Sequence, residues 1–315
     1  MKNTLKFILG ALVAAAPLSM SADSDSAAVA ISARASSDYT RPQMPDGTFA
    51  PETFAFGKGG VWAGAAKDAT IDKVDFMQVA RTIAVPLARQ SFVSSHDPKA
   101  TRLLIMVYWG TTHAPDHPSD SAASQNLQTA NAAALAANHV QIVRNNPFDS
   151  MAPLTVSTNS TAYAVNSPAQ VDLDNAMTAS MSAVAAEDHS RELVDARNAS
   201  MLGYDTAWDE AVAYKGTPLE FRRKEIIGEL EEDRYFVVLM AYDFQKMWKE
   251  KKPKLLWEAR YSIRGRGNDF ERDLAAMTDQ ASKYFGQNTG GLVRKALPEG
   301  HVDIGQERVM EMGAQ

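Results

Sequence analysis

Arg102-Leu-Leu-Ile-Met-Val-Tyr-Trp109 and, far downstream, Tyr235-Phe-Val-Val-Leu-Met-Ala-Tyr242 are the stretches whose reading decides the fold. Each is an unbroken apolar run bounded by turn signals. Consecutive apolar positions place hydrophobic side chains on both faces of a strand, so both runs read as central strands of a sheet that is covered on its two sides. Leu255-Leu-Trp-Glu-Ala-Arg-Tyr-Ser-Ile-Arg264 is different. There Leu255, Trp257, Ala259, Tyr261 and Ile263 alternate with Glu258, Arg260, Ser262 and Arg264, the pattern of a strand with one face in the core and one toward water.

Working outward, Thr53-Phe-Ala-Phe56 reads as a short aromatic strand stopped by Gly57-Lys-Gly-Gly60. Lys58 among glycines suggests a phosphate loop. The G-x-x-x-x-G-K-[ST] spacing is missing and no helix opens after it, so a plain turn is expected. Phe76, Val79, Ile83 and Leu87 step by three and four, which predicts a helix capped by Thr70 or Asp72 and kinked or shortened at Pro86. Leu219 to Glu232 is a charged helix with Phe221, Ile226, Ile227 and Leu230 inward. Phe270, Leu274, Met277, Ala281 and Tyr284 form one stripe, with Asn268 and Glu271 placed as a capping box and Gly286 as the stop.

Between the two halves the composition changes. From Gly110 to Ser190, Ala, Asn, Ser and Thr dominate and Arg144 is the sole Lys or Arg. Ser121 to Arg144 and Ala169 to Leu202 read as helices, with Thr155 to Val165 a hairpin or loop between them. The expected division is a signal at 1–22, a flexible leader at 23–49 and a discontinuous α/β domain at 50–113 and 217–286. An Ala/Asn/Ser-rich helical insertion occupies 114–216, and 287–315 is a loosely ordered tail. The ordered parts predict an α/β chain of the α+β type. It is a two-layer sandwich with a four-stranded mixed sheet packed by helices, and the insertion is docked on the sheet's second face because the two central runs need cover there.

The first 22 residues read as an export address. Lys2 and Lys6 precede the apolar run from Phe7 to Ala16, Pro17 breaks it, and Ser21 or Ala22 offers a cleavage point. The protein is therefore expected in the periplasm or secreted. No later stretch approaches the roughly 18 apolar residues needed to span a bilayer. The 315 residues include no cysteine, which removes disulfides, thiol chemistry and a lipid-bearing N-terminal Cys. A net charge of −6 is poorly suited to nucleic acid, and binding to an anionic membrane surface is disfavoured for the same reason.

The Thr53-Phe-Ala-Phe opening, the helix ending near Phe92, the strand Leu103-Leu-Ile-Met-Val107, the pair Val237–Asp243 and Leu255–Arg260, and the closing helix through Tyr284-Phe285 together resemble a family of small bacterial envelope proteins, many of them lipoproteins, known as a domain of unknown function. The resemblance covers less than half the chain. It implies an envelope location and no catalytic residue. The chain departs from the family in lacking the lipid-bearing Cys and in carrying the long middle block.

Chemistry-bearing candidates are few. His113-Ala-Pro-Asp116-His117 follows a central strand and offers metal-ligand types, yet Pro115 forbids the helix that would set both histidines on one face, and no distant cluster completes the set. His96, His139, His189 and His301 are the other histidines. Arg264 and Arg266, beside a helix start, could hold an anion, or form a solvated turn. Lys249, Lys251, Lys252 and Lys254 beside Trp248 could touch nucleic acid or lipid, but Glu250 interrupts the run and the chain is acidic, so a solvated hairpin tip is expected. Glu225, Glu229 and Glu232 read as a self-paired helix surface with Arg222, Arg223 and Lys224, and no G-x-S-x-G elbow occurs. The expected function is a non-enzymatic exported protein, without cofactor, that binds an envelope protein or small ligand between the sheet and the inserted helices. The alternative is a metal-dependent hydrolase using His113, Asp116 and His117.

Overall fold

The computed structural model describes residues 28–63, 65–68, 71–72, 74–115, 121–132 and 168–297. The elements are, in order, β1 (Ala28–Ala35), β2 (Glu52–Val61), α1 (Phe76–Arg89), β3 (Phe92–Ser94) and β4 (Leu103–Thr111). A helix through residues 122–132, α2, comes next. Then follow α3 (Pro168–Leu202), α4 (Asp205–Ala213), α5 (Glu220–Leu230), β5 (Arg234–Asp243), α6 (Phe244–Glu250), β6 (Leu255–Arg264), α7 (Phe270–Ser282) and β7 (Val293–Ala296).

The two apolar runs are neighbours. β4 pairs antiparallel with β5, Ile105 opposite Ala241 and Val107 opposite Leu239. They stand inside a seven-stranded sheet of order β3-β2-β4-β5-β6-β1-β7. β3, β2 and β4 are mutually parallel, joined by the α1 crossover, and every other pairing is antiparallel.

The class is mixed α/β as expected, but the sheet has seven strands where four were expected. The additions are β1, β3 and β7. β1 comes from the stretch read as a flexible leader: Val29, Ile31 and Ala33 are fully buried between β6 and β7. Its Ala- and Ser-rich sequence has little intrinsic strand preference, and pairing on both sides supplies what propensity lacks. β7, from the expected tail, is mostly exposed and held through backbone pairing along β1, so no apolar period announces it.

β2 also runs straight through Gly57-Lys-Gly-Gly60, with a bulge between Lys58 and Gly60, where a turn was expected. The glycines are there for the neighbouring strand: a Cβ at Gly57 would meet Met106 Sδ at 2.1 Å, and one at Gly59 the Tyr108 ring at 2.5 Å.

Helices lie on both faces of the sheet, so the expected two layers become three. On the first face, Val79, Ile83 and Leu87 of α1 and Leu274, Met277 and Ala281 of α7 close over Val29, Ile105, Leu239 and Tyr261. α1 is capped by Asp75, whose carboxylate accepts from Met77 N at 3.2 Å, and it continues through a buried Pro86 to Arg89. α7 is capped by Asp269, one residue beyond the expected Asn268. Arg272 N donates to Asp269 (2.9 Å), while Asp269 N donates to the Asp273 carboxylate (2.8 Å).

The second face is covered by the end of α3 with α4 and α5. Ala199, Leu202, Tyr204, Ala211 and Leu230 bury Ala30, Phe236 and Val238. This corrects the reading of β6 as half-exposed: Ser262 is fully buried, and Arg260 Nη1 donates to the Ser200 carbonyl at 2.6 Å, placing its charge at the C-terminal, electronegative end of α3. Gly203 ends α3 at φ +80°, and a Cβ there would stand 2.8 Å from that of Ser32. No helix among the described residues is long and apolar enough to cross a membrane.

Candidate functional site

Antiparallel pairing brings the end of β4, the start of β5 and the end of β6 to one edge of the sheet, Thr111 opposite Tyr235 and Arg234 opposite Arg264. The chain after β2 joins them, because Ala66 N donates to the Thr111 carbonyl at 2.8 Å. These four segments surround a cleft of about 530 Å³, whose polar lining includes Lys67, Asp68, His113, Asp233, Arg264 and Arg266. Two candidates that are far apart in the sequence, His113 and the Arg264/Arg266 pair, thus share one cleft.

The acidic side comes from the turn between α5 and β5. Asp233 lies 3.2 Å from His113 Nδ1 and accepts from Ala114 N at 2.8 Å, while its own carbonyl accepts from Gly265 N at 2.6 Å. Glu232 faces the guanidinium of buried Arg234 at 3.7 Å. Glu231 accepts from Arg191 Nη2 of α3 at 2.5 Å. α3 also holds the loop from behind: Asn198 Nδ2 donates to the carbonyls of Leu230 (3.1 Å) and His113 (3.3 Å). Beside it Asp195, only 3% exposed, has one carboxylate oxygen without a partner among the described residues. Burial, reinforced by the charge of Glu231, pushes its carboxyl up to about 7.

The metal reading gains no companions. Asp116, His117, His139 and His301 lie outside the described residues, and no group of three His, Cys, Asp or Glu placed to hold a metal occurs among those described. His113 is paired with Asp233, which the sequence pattern did not single out. The anion reading changes its geometry. The α7 N-terminus is occupied by the chain's own Asp269 and Asp273, and Arg264 and Arg266 line the cleft instead. Asn268 Nδ2 instead fastens the Arg264 carbonyl at 2.8 Å.

The expected self-paired face of α5 is also different. Glu229 accepts from the Tyr204 hydroxyl and from Arg294 Nε, both at 2.7 Å, and Glu232 lies beyond the helix in the cleft. Lys67, Glu231 and Asp233 were missed because they sit in irregular turns; only their place at strand ends could have drawn attention to them.

No family model matches the chain, and no curated protein matches it. Among solved structures it is similar to a PDZ domain protein from Parabacteroides distasonis, at 10% identity and a TM-score of 0.34. The match covers 85% of this chain and 39% of that one, so this chain spans well under half the length of that protein.

Proposed function

We propose that the chain is an exported, non-enzymatic binding protein of the bacterial envelope, periplasmic or secreted, and that a small ligand bearing an anionic group seats in the cleft at the Thr111–Ala114 end of the sheet. One observation carries this reading. Two of the cleft carboxylates, Glu231 and Glu232, face the guanidiniums of Arg191 and Arg234, and Asp233 lies against the His113 imidazole, whereas Lys67 and Arg266, on a wall that also carries Asp68, form no ion pair among the described residues. Lys67 and Arg266 are therefore two cations on the cleft wall open to an anionic group, and the volume suits a small molecule. The likeness to envelope domains of unknown function fits the same reading.

Native mass spectrometry of protein purified from its own envelope tests it. The expected result is a bound small anion whose occupancy falls at least tenfold when Lys67→Glu and Arg266→Glu are combined. Occupancy unchanged by that double variant removes the cleft from the account. Stoichiometric zinc that disappears in His113→Ala overturns it in favour of the metal-dependent hydrolase using His113, Asp116 and His117.

A further inference from the structure

The opposite end of the sheet has its own charge pattern. α6 fills the β5–β6 connection and carries Lys246 and Lys249, with Lys251, Lys252 and Lys254 directly after it. Gln245 Nε2 donates to the carbonyls of Pro98 (2.7 Å) and Thr101 (2.8 Å), and Phe244 N donates to the Arg102 carbonyl at 2.8 Å. These bonds clamp a distant turn, with exposed Lys99 and Arg102, against the same short helix.

The nearby acids are largely engaged. Asp243 caps α6 on Lys246 N, Asp97 accepts from Lys99 N, and Asp38 pairs with Lys254. Glu250 is the one acid within the run Lys246–Lys254. In their midst Trp248 is 42% exposed, its ring tilted against Phe244 at 6.2 Å. Lys251 adopts φ +58° at the helix C-cap, a conformation that glycine takes at least cost, so the chain keeps a lysine where the backbone favours none.

We propose that this end of the sheet is a docking surface for an anionic phospholipid bilayer. Trp248 enters the headgroup layer, and Lys246, Lys249, Lys251 and Lys252 lie against lipid phosphates. An indole has an apolar body and a polar N–H, which suits the boundary between acyl chains and water. Lysine stems can lie along that boundary while their ammonium groups reach the phosphates. Each lysine near such a surface strengthens binding by roughly fivefold.

The chain's net charge of −6 does not oppose this. Charges are screened beyond about 8 Å at physiological salt, and a ten-residue strand separates the two ends by roughly 30 Å. Nucleic acid fits less well. The cations are nearly all lysine, without the planar fork that matches phosphate bidentately, and one indole is no platform for successive bases. Docking by this end would turn the Thr111–Ala114 cleft away from the bilayer, since β4 starts at the one and finishes at the other.

Co-sedimentation of the purified protein with vesicles of phosphatidylcholine, with or without a quarter phosphatidylglycerol, tests the proposal. Binding is expected only with the anionic lipid and should weaken as salt rises. It should fall more than tenfold in the combined variant Lys249→Glu, Lys251→Glu, Lys252→Glu, and several-fold in Trp248→Ala. Lys283→Glu, on a different surface, should leave it unchanged. Equal binding to both vesicles, or to neither, overturns the proposal. So does an unchanged response in the triple variant, or polyanion binding to DNA of equal strength that ignores Trp248→Ala.

Discussion

Against one face of the sheet, Ile83 and Leu87 of α1 and Leu274 and Met277 of α7 meet Ile105, Leu239 and Trp257, and the buried polar groups among them are few, chiefly the Tyr261 hydroxyl against Thr278 Oγ1 at 3.0 Å and Arg41 at the Phe285 carbonyl. Against the other, the end of α3 brings Asp195 and Asn198 together with Leu202, and the strand beneath offers Arg260 and Ser262 beside Phe236 and Val238. Apolar packing is non-directional and tolerates a range of positions, whereas each buried polar group demands its own partner. The first face therefore holds the domain together. The second fixes where α3 sits, and with it the loop bearing His113, whose carbonyl Asn198 holds.

The largest test of this difference is on the apolar side. Trp257 stacks on Phe285 with ring centres 5.6 Å apart and is essentially inaccessible. Trp257→Ala should cost about 3–5 kcal/mol in denaturant unfolding, since it removes a large buried side chain and leaves a cavity. Trp257→Phe should cost much less than the lost area suggests. The indole N–H has no partner among the described residues, and its removal relieves a buried unsatisfied donor. A Phe variant as damaging as Ala would mean that a specific polar contact, and not packing, secures this face.

The same contrast explains what could be read from residues alone. α7, β5 and β6 were visible because the first face writes a regular period: Phe270, Leu274, Met277 and Ala281 on the helix, Trp257, Ala259, Tyr261 and Ile263 on the strand. The boundaries of α3 were also close, although only its final turns are buried. β1 was not visible, because Ala30, Ser32 and Ala33 give no strand-like composition and depend on partners from the far end of the chain. The alternation of β6 makes Arg260 and Ser262 look solvent-facing for a related reason. A charged residue beneath a helix end looks, in sequence, like one beneath water. Of the cleft, His113, Arg264 and Arg266 were picked out separately, but their meeting depends on the β4–β5–β6 register, and Asp233 and Lys67 have no pattern at all.

On the polar side the next effect is steric. Gly203 combines φ +80° with a Cβ position 2.8 Å from Ser32 Cβ and 3.0 Å from Arg260 Cβ. Gly203→Val should destabilise the protein by about 2–3 kcal/mol, from the left-handed backbone and the displaced helix end together. Faster hydrogen exchange in the last turns of α3 should accompany the loss, with α1 and α7 little affected. Uniform loosening of both faces would show that α3 is as integral to the fold as the first core.

The smallest effect, and the most diagnostic, concerns Asp195. Its carboxyl is pushed up to about 7 from an ordinary 3.8, chiefly by burial and then by Glu231 and Glu192, against the opposing pull of Arg191 and Arg223. Between those two values the folded state holds a proton that the unfolded state has released. Stability contributed here is therefore complete at mild acid and falls as pH rises from about 4 to about 7. Asp195→Asn cannot ionise, so it should remove that decline. The variant should match the parent near pH 4 and exceed it by about 1–2 kcal/mol at pH 8, less than the full pKa difference allows because water and Arg191 partly solvate the charge. Thermal unfolding followed across that range reads the crossover directly. If Asp195→Asn is instead less stable than the parent at pH 8, the carboxylate is a needed partner of Arg191, and the polar face is held by that ion pair and not strained by it.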